Sequence, residues 1–243
     1  WTPFPYTTLF RTQQFVLRYS LNQRKRQPGS PMMLLIALRI AKHHELMSNS
    51  RTAEQKRDTA ETKVEVKIDI DGCGQSKINT GVAFFDHMLT LFSKHSLCDL
   101  EIIADGDIEV DYHHTVEDVG IVLGSCIKEA LRDKKGIYRY GWSLLPMDET
   151  LSRVAVDFGG RPYLSFNAPE KIESIREFSF GLVEEFLRAF ANNAGANIHV
   201  EVISGRDAHH IAESIFKGLA KACDIAFKID PRVEGVPSTK ETL

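Results

Sequence analysis

The order of apolar and polar positions predicts alternating strands and helices from about residue 61 onward. Residues 63–71 alternate between polar and apolar side chains, which is typical of a half-buried strand. Residues 115–131 place apolar side chains at spacings of three and four, which indicates an amphipathic helix. The same criteria predict further helices over 84–95, 180–193 and 211–227, and further strands over 97–104, 153–158, 163–167 and 198–203.

One pattern occurs twice along the chain. The pairs His113-His114 and His209-His210 lie 96 residues apart, and each opens the last predicted helix of its half after a predicted helix and strand. This arrangement predicts an internal duplication, with repeats over about 57–140 and 146–230 and a C-terminal tail. Two sheet-and-helix units that share a core form an α+β fold, which we expect to be a two-layer sandwich with pseudo-twofold symmetry.

The composition narrows the classes of function. A formal net charge of -3 provides no basic surface for nucleic acid, and no apolar run reaches the roughly 20 residues of a transmembrane helix. The four cysteines lie far apart in sequence, which favours neither a zinc ribbon nor a disulfide framework. We therefore expect no nucleic-acid partner, no membrane partner and a reducing, cytoplasmic location.

Residues 1–46 differ from the rest because they contain seven basic residues and one acidic residue. Three interpretations are open: sequence that is not native to the protein, an organelle transit peptide that would place the protein in a plastid, or an additional structural element. The first interpretation is favoured, with Met47 as the start of the folded domain and 47–243 as its extent.

A protein that begins at Met47 is expected to fold and to keep its activity, because a transit peptide or an upstream segment is dispensable to a folded enzyme. Solubility, assembly and turnover, measured beside those of the full chain, test this expectation. Loss of solubility or of assembly on removal of residues 1–46 would assign them to the fold.

Both histidine pairs belong to the motif HHxxE, which ends at Glu117 in the first half and at Glu213 in the second. On a helix, the first His and the Glu lie one turn apart on one face, whereas the second His points about 100° away. One motif can therefore supply ligands to two metal ions, and imidazole with carboxylate favours Mn, Fe, Co or Zn. A lone HHxxE is more often a solvated helix start, but two copies are rare by chance.

Alignment of the two halves adds two candidate ligands. His87 lies in an otherwise apolar predicted helix, where a lone histidine is usually a hydrogen-bonded core residue. Glu185 occupies the matching place in the second half, which favours a ligand role for both residues. His95 and His199 are interpreted as structural.

Several ordered blocks of sequence are similar to those of one enzyme family. The blocks are RDTAET (57–62), FFDHML (84–89), DYHHTVED (111–118), PMDE (146–149), GGRPY (159–163), HHIAE followed by FK (209–217), and VPSTK (236–240). From about residue 57 to Leu243 the chain resembles the imidazoleglycerol-phosphate dehydratases throughout.

The resemblance implies two manganese ions per active site, with other divalent metals left open, and sites formed between the subunits of a trimer-based 24-subunit homo-oligomer. The implied metal ligands are His87, His113, His114, Glu117, Glu185, His209, His210 and Glu213. The implied acid/base group is Glu61. The implied phosphate-binding residues are Arg139, Arg161, Lys217, Ser238 and Lys240.

The reaction implied by the resemblance is dehydration of D-erythro-imidazoleglycerol phosphate to imidazole acetol phosphate, a step of histidine biosynthesis. Loss of a carbon-bound proton and departure of a hydroxyl are both unfavourable at neutral pH. Two metal ions that hold the substrate as an imidazolate would lower both barriers, and Glu61 would move the proton. The phosphate dianion requires several converging cationic or neutral donors.

Three positions depart from the family pattern. Tyr112 stands where Asp is usual, Asp207 where Asn is common, and Glu241 where Gly is usual. Glu241 adds a negative charge beside the implied phosphate site, and it occupies a turn for which we expect a positive φ. We therefore expect weaker phosphate binding, whereas Glu185, where some members carry His, keeps its capacity as a ligand.

Two other functions fit the same residues. A dinuclear metallohydrolase would also combine His and Glu ligands with phosphate-binding cations, but it would release inorganic phosphate. A metal-organised assembly protein would use the HHxxE motifs only to join subunits. That protein would show a metal-dependent oligomer size without turnover.

Overall fold

A computed structural model describes residues 51–243, so the predictions for residues 1–46 lie outside the described part of the chain. The first half contains β1 (Thr52–Asp58), β2 (Thr62–Asp69), β3 (Ser76–Asn79), α1 (Ala83–Ser96), β4 (Asp99–Gly106) and α2 (His113–Ala130). The second half contains β5 (Tyr140–Met147), β6 (Thr150–Asp157), β7 (Tyr163–Asn167), α3 (Gly181–Ala194), β8 (Asn197–Ser204) and α4 (Ala208–Phe227).

Each half forms a four-stranded sheet with the same topology. The first sheet has the order β1-β2-β4-β3, and the second has the order β5-β6-β8-β7. In both sheets the last pair, β3 with β4 or β7 with β8, is parallel, and the other neighbours are antiparallel. The matching topology confirms the predicted α+β fold with an internal duplication.

The helices cover one face of each sheet and also join the two halves. Helix α2 contacts β1 and β2, α4 contacts β5 and β6, and the halves meet where α1 contacts α4 and α2 contacts α3. A Cβ on Gly124 of α2 would lie 2.7 Å from the carbonyl oxygen of Phe190, so glycine is required for this close approach. Within residues 51–243, no helix is both long and apolar enough to cross a bilayer.

Three of the four strands at the sheet edges were not predicted from the sequence, the exception being β7. The predicted elements agree with the structure to within three residues at each end, but β1, β3 and β5 were missed. All three are edge strands. Edge strands contact only one neighbour, so their side chains need not alternate between polar and apolar. In β1 only Ala53 is buried, and in β5 Trp142 and Leu144 are exposed.

Candidate functional site

The contact between α1 and α4 brings three predicted ligands together. His209 and Glu213 lie one turn apart on α4, and His87 projects toward them from α1. Oε2 of Glu213 lies 3.1 Å from Nε2 of His209 and 3.6 Å from Nε2 of His87. One ligand atom from each residue lies within 4.8 Å of the other two. The two halves of the duplication therefore form this cluster jointly.

The chemistry of this cluster fits a borderline divalent cation, because two imidazole nitrogens and one carboxylate oxygen converge. The His87 and His209 side chains are 46% and 44% exposed, which leaves room for further ligands. Burial alone would raise the pKa of Glu213, but the Lys217 ammonium, followed by the two histidines, lowers it below its ordinary value. The carboxylate thus stays ionised, as a metal ligand must be.

The second histidine of each motif lies outside this cluster. Adjacent residues of a helix lie about 100° apart around its axis, so the two histidines of one motif lie on different faces of the helix. The two rings are nearly perpendicular in each motif, at 87° for His209 and His210 and 89° for His113 and His114.

A carboxylate contacts Nδ1 in both of these second histidines. Nδ1 of His210 lies 2.8 Å from Oε2 of Glu149, and Nδ1 of His114 lies 3.0 Å from Oδ2 of Asp107. These carboxylates raise the pKa of both histidines, and the contact with His210, aided by backbone N–H donors, lowers the pKa of Glu149 to about 2. A carboxylate on one ring nitrogen leaves Nε2 as the nitrogen that can bind a metal.

Glu61, the predicted acid/base group, lies next to the pair of His114 and Asp107. Its Oε2 is 3.8 Å from Nδ1 of His114, and its side chain is 56% exposed. Glu149 has the same place in the second half, because Glu61 precedes β2 and Glu149 precedes β6. Neither Glu149 nor Asp107 was predicted from the sequence to have a role. An alignment of Glu61-Thr62 with Glu149-Thr150 would have identified Glu149.

The remaining predicted ligands do not form a second cluster within one chain. His113 and Glu117 lie on α2 and Glu185 lies on α3, and these helices are also in contact. Among residues 51–243, however, the cluster of His87, His209 and Glu213 is the single group of three or more potential ligands within 4.8 Å. One chain thus does not gather all eight predicted ligands around one pair of ions.

Four of the five predicted phosphate-binding residues line one cavity of about 690 Å³, and they are Arg139, Arg161, Ser238 and Lys240. The fifth, Lys217, is not among the lining residues. Its ammonium instead pairs with Oε1 of Glu213 in the metal cluster. Within one chain, therefore, Lys217 supports the candidate metal ligand rather than the phosphate cavity.

Arg139 connects this cavity to the C-terminal tail. Its Nε and Nη2 donate to the two oxygens of Asp157 at 2.6 and 3.0 Å, and Nη1 donates to the carbonyl oxygen of Pro237 at 2.9 Å. A guanidinium has five N–H donors, so two remain for an anion. Arg139 can therefore position the segment that carries Ser238 and Lys240 and also contact a phosphate.

Two of the departures from the family pattern have a structural explanation. Asp207 is the N-cap of α4 and accepts from the backbone N–H of His210 at 3.0 Å. Asp and Asn are equally good N-caps, so this change preserves the start of the helix. Glu241 has a φ of 59°, which confirms the expectation of a turn with positive φ. Its side chain is not among those that line the cavity.

Replacing Glu241 by Gly is expected to relieve about 1 kcal/mol of backbone strain at the turn. Phosphate or a phosphorylated substrate should then bind up to about fivefold more tightly, as measured by calorimetry with inorganic phosphate. Glu241→Ala is the matched control, because it removes the charge and keeps the Cβ. If the Ala variant improves binding as much as the Gly variant does, charge and not backbone conformation limits the affinity.

Comparisons with known proteins identify the family of the chain. The family model for imidazoleglycerol-phosphate dehydratase matches residues 80–223. Enzymes of that name from Akkermansia muciniphila and Geobacter metallireducens are 58% and 54% identical over 195 and 194 residues, which cover 79% and 80% of this chain and 100% of each relative.

Solved structures of such dehydratases are also similar. The Staphylococcus aureus enzyme has a TM-score of 0.67 at 45% identity, over 74% of this chain and 99% of that one. The Pyrococcus furiosus enzyme, in complex with (S)-C348, has a TM-score of 0.68 at 35% identity, over 78% of this chain and 100% of that one. The chain therefore belongs to the imidazoleglycerol-phosphate dehydratase family of hydro-lyases.

Proposed function

We propose that the chain dehydrates D-erythro-imidazoleglycerol phosphate to imidazole acetol phosphate at a site with two divalent metal ions, manganese being the expected metal. The observation that carries this proposal is the cluster of His87, His209 and Glu213, which unites ligands from both halves of the chain. When bound, the ions would supply positive charge that stabilises the anionic form of the substrate's imidazole ring.

The second ion would be held by His113, Glu117 and Glu185, the counterparts of the first cluster in the duplicated fold. The ligand atoms of these residues do not converge within one chain, so a further ligand would be needed to complete the set. His114 and His210 are suited to this because each has a carboxylate on Nδ1, which leaves Nε2 as the nitrogen that can bind a metal. We infer that these Nε2 atoms bind ions of neighbouring subunits in a homo-oligomer.

The cavity lined by Arg139, Arg161, Ser238 and Lys240 would bind the phosphate group. Three cationic side chains and a hydroxyl match the charge and the hydrogen-bonding capacity of a phosphate dianion. The exchange of ligands between subunits would bring this cavity close to a metal pair. Binding of the phosphate would then hold the imidazole end in a fixed orientation.

Glu61 would transfer the proton. Its exposed carboxylate lies beside His114, one of the residues that would hold an ion, so Glu61 would be within reach of a substrate bound there. A positioned carboxylate contributes as a general acid or base in such a step. Asp107, bonded to His114, would hold the imidazole ring in place.

Incubation of the manganese-loaded protein with imidazoleglycerol phosphate distinguishes this reaction from its rivals. We expect the ketone product, imidazole acetol phosphate, in an amount equal to the substrate lost, with no release of inorganic phosphate. Release of phosphate in place of the ketone would indicate a metallohydrolase. Absence of any turnover, together with a metal-dependent oligomer size, would indicate an assembly protein.

A further inference from the structure

A hydrogen bond connects the residue before the first HHxxE motif to the segment between β7 and α3. The hydroxyl of Tyr112 donates to Oε2 of Glu177 at 2.8 Å. Tyr112 directly precedes His113 and packs against the hydrophobic core. The family pattern usually has Asp at this position, and an Asp would repel Glu177 instead of donating to it. This contact is thus a property of the residues present in this chain.

The segment that contains Glu177 continues directly to a candidate metal ligand. The ring of the buried Phe178 lies 5.1 Å from that of Phe84, and the Phe84 ring lies 5.3 Å from the imidazole of His209. Tyr112, Glu177 and His209 also line one cavity of about 380 Å³. The hydroxyl of Tyr112 is therefore connected to the imidazole of His209 through Glu177, the adjacent Phe178 and Phe84.

Backbone hydrogen bonds fix the conformation of the segment that contains Glu177 and Phe178. Ile175 and Phe178 exchange two backbone hydrogen bonds, of 2.8 and 3.0 Å, around a turn in which Arg176 has a φ of 56°. A displacement of Glu177 would move Phe178 with it, because they are adjacent in this closed turn. Aromatic rings in contact transmit such a shift because protein interiors are close-packed.

We propose that Tyr112 and Glu177 are positioning residues that set the orientation of the His209 imidazole toward the metal. The inference rests on the proposed function, because it assigns to His209 the role of a ligand. Neither residue is proposed to touch the metal or the substrate. Loss of the hydrogen bond should weaken metal binding and change the coordination geometry, with the fold preserved.

Cobalt titration of chelator-treated protein tests this proposal, because the visible absorption of bound Co²⁺ reports coordination geometry independently of turnover. Tyr112→Phe and Glu177→Ala should each weaken Co²⁺ binding by about three- to tenfold, the range expected for loss of one hydrogen bond, and should shift the absorption band. The double variant should be no weaker than either single variant. Glu177→Gln should resemble the wild type, because its amide oxygen can still accept from Tyr112.

Tyr163→Phe is the control, since this exposed hydroxyl lies on β7. Thermal unfolding of the metal-free variants verifies that the fold is intact, and if Tyr112→Phe does not fold, the comparison of Glu177→Ala with Glu177→Gln decides. The positioning role alone would be overturned if Tyr112→Phe and Glu177→Ala bind Co²⁺ with the affinity and spectrum of the unmodified protein, while the unmodified protein binds metal and turns over substrate. A wild type without metal binding or turnover would overturn the proposed function as well.

Discussion

Replacing His209 by Ala is expected to lower both the metal affinity and the turnover of the protein by about 100-fold or more, since even partners of metal ligands contribute 10- to 100-fold. Glu213 and His87 would remain, but two ligands hold a divalent ion poorly. The same result is expected for His113→Ala, the equivalent position in the first half. Metal content by mass spectrometry and turnover of imidazoleglycerol phosphate, measured on the same samples, are the required data.

His199→Ala is the matched control for these variants. His199 is an exposed residue of β8 whose ring contacts Tyr163, and it lies outside the metal cluster. Its replacement should leave the metal content and turnover unchanged. Circular dichroism should show intact helices in all three variants. Full metal occupancy with full turnover in His209→Ala or in His113→Ala would refute the interpretation of the HHxxE motifs.

Removal of the metal is expected to reduce the proposed homo-oligomer to smaller species while the secondary structure of each subunit persists. The physical reason is the position of His114 and His210, which lie outside the ligand cluster of their own chain and, as proposed above, would bind ions of neighbouring subunits. Metal binding would then contribute to association, so chelation should weaken it. Light scattering and circular dichroism with and without chelator measure the two properties separately.

A variant tests the same coupling of metal binding to assembly without a chelator. His210→Ala leaves His87, His209 and Glu213 in place, so it should retain part of the bound metal and lose assembly. Chelated protein that keeps both its full size and its thermal stability would contradict the proposed sharing of ligands between subunits.

Much of the fold was predictable because the central strands and the helices bury one side regularly. Strand β2 alternates between buried and exposed residues along its length, and α2 buries a continuous stripe. The edge strand β3 has a single half-buried apolar residue, Ile78, so no period distinguishes it from a loop. Periodicity reports burial, and edge strands are stabilised mainly by backbone pairing that the side chains do not reveal.

The site residues were predictable where the duplication repeats a motif, and less so where a residue's role depends on its neighbours in space. Alignment of the halves identified His87 and Glu185 as equivalent candidate ligands, and the structure places His87 beside His209 and Glu213. The pairing of Lys217 with Glu213 follows the i, i+4 spacing of opposite charges on one helix, but this spacing was not used when Lys217 was assigned to the phosphate. The contact of Tyr112 with Glu177 was unpredictable, because 65 residues separate them and only the packing of the two halves brings them together.

We propose that dehydration by this chain depends on ions held by the cluster of His87, His209 and Glu213 and by its counterpart. Stepwise addition of Mn²⁺ to chelator-treated protein, with bound metal and turnover measured at each step, tests this dependence. Turnover should be absent without metal, increase with occupancy, and saturate at two ions per active site. Undiminished dehydration by metal-free protein would contradict the account.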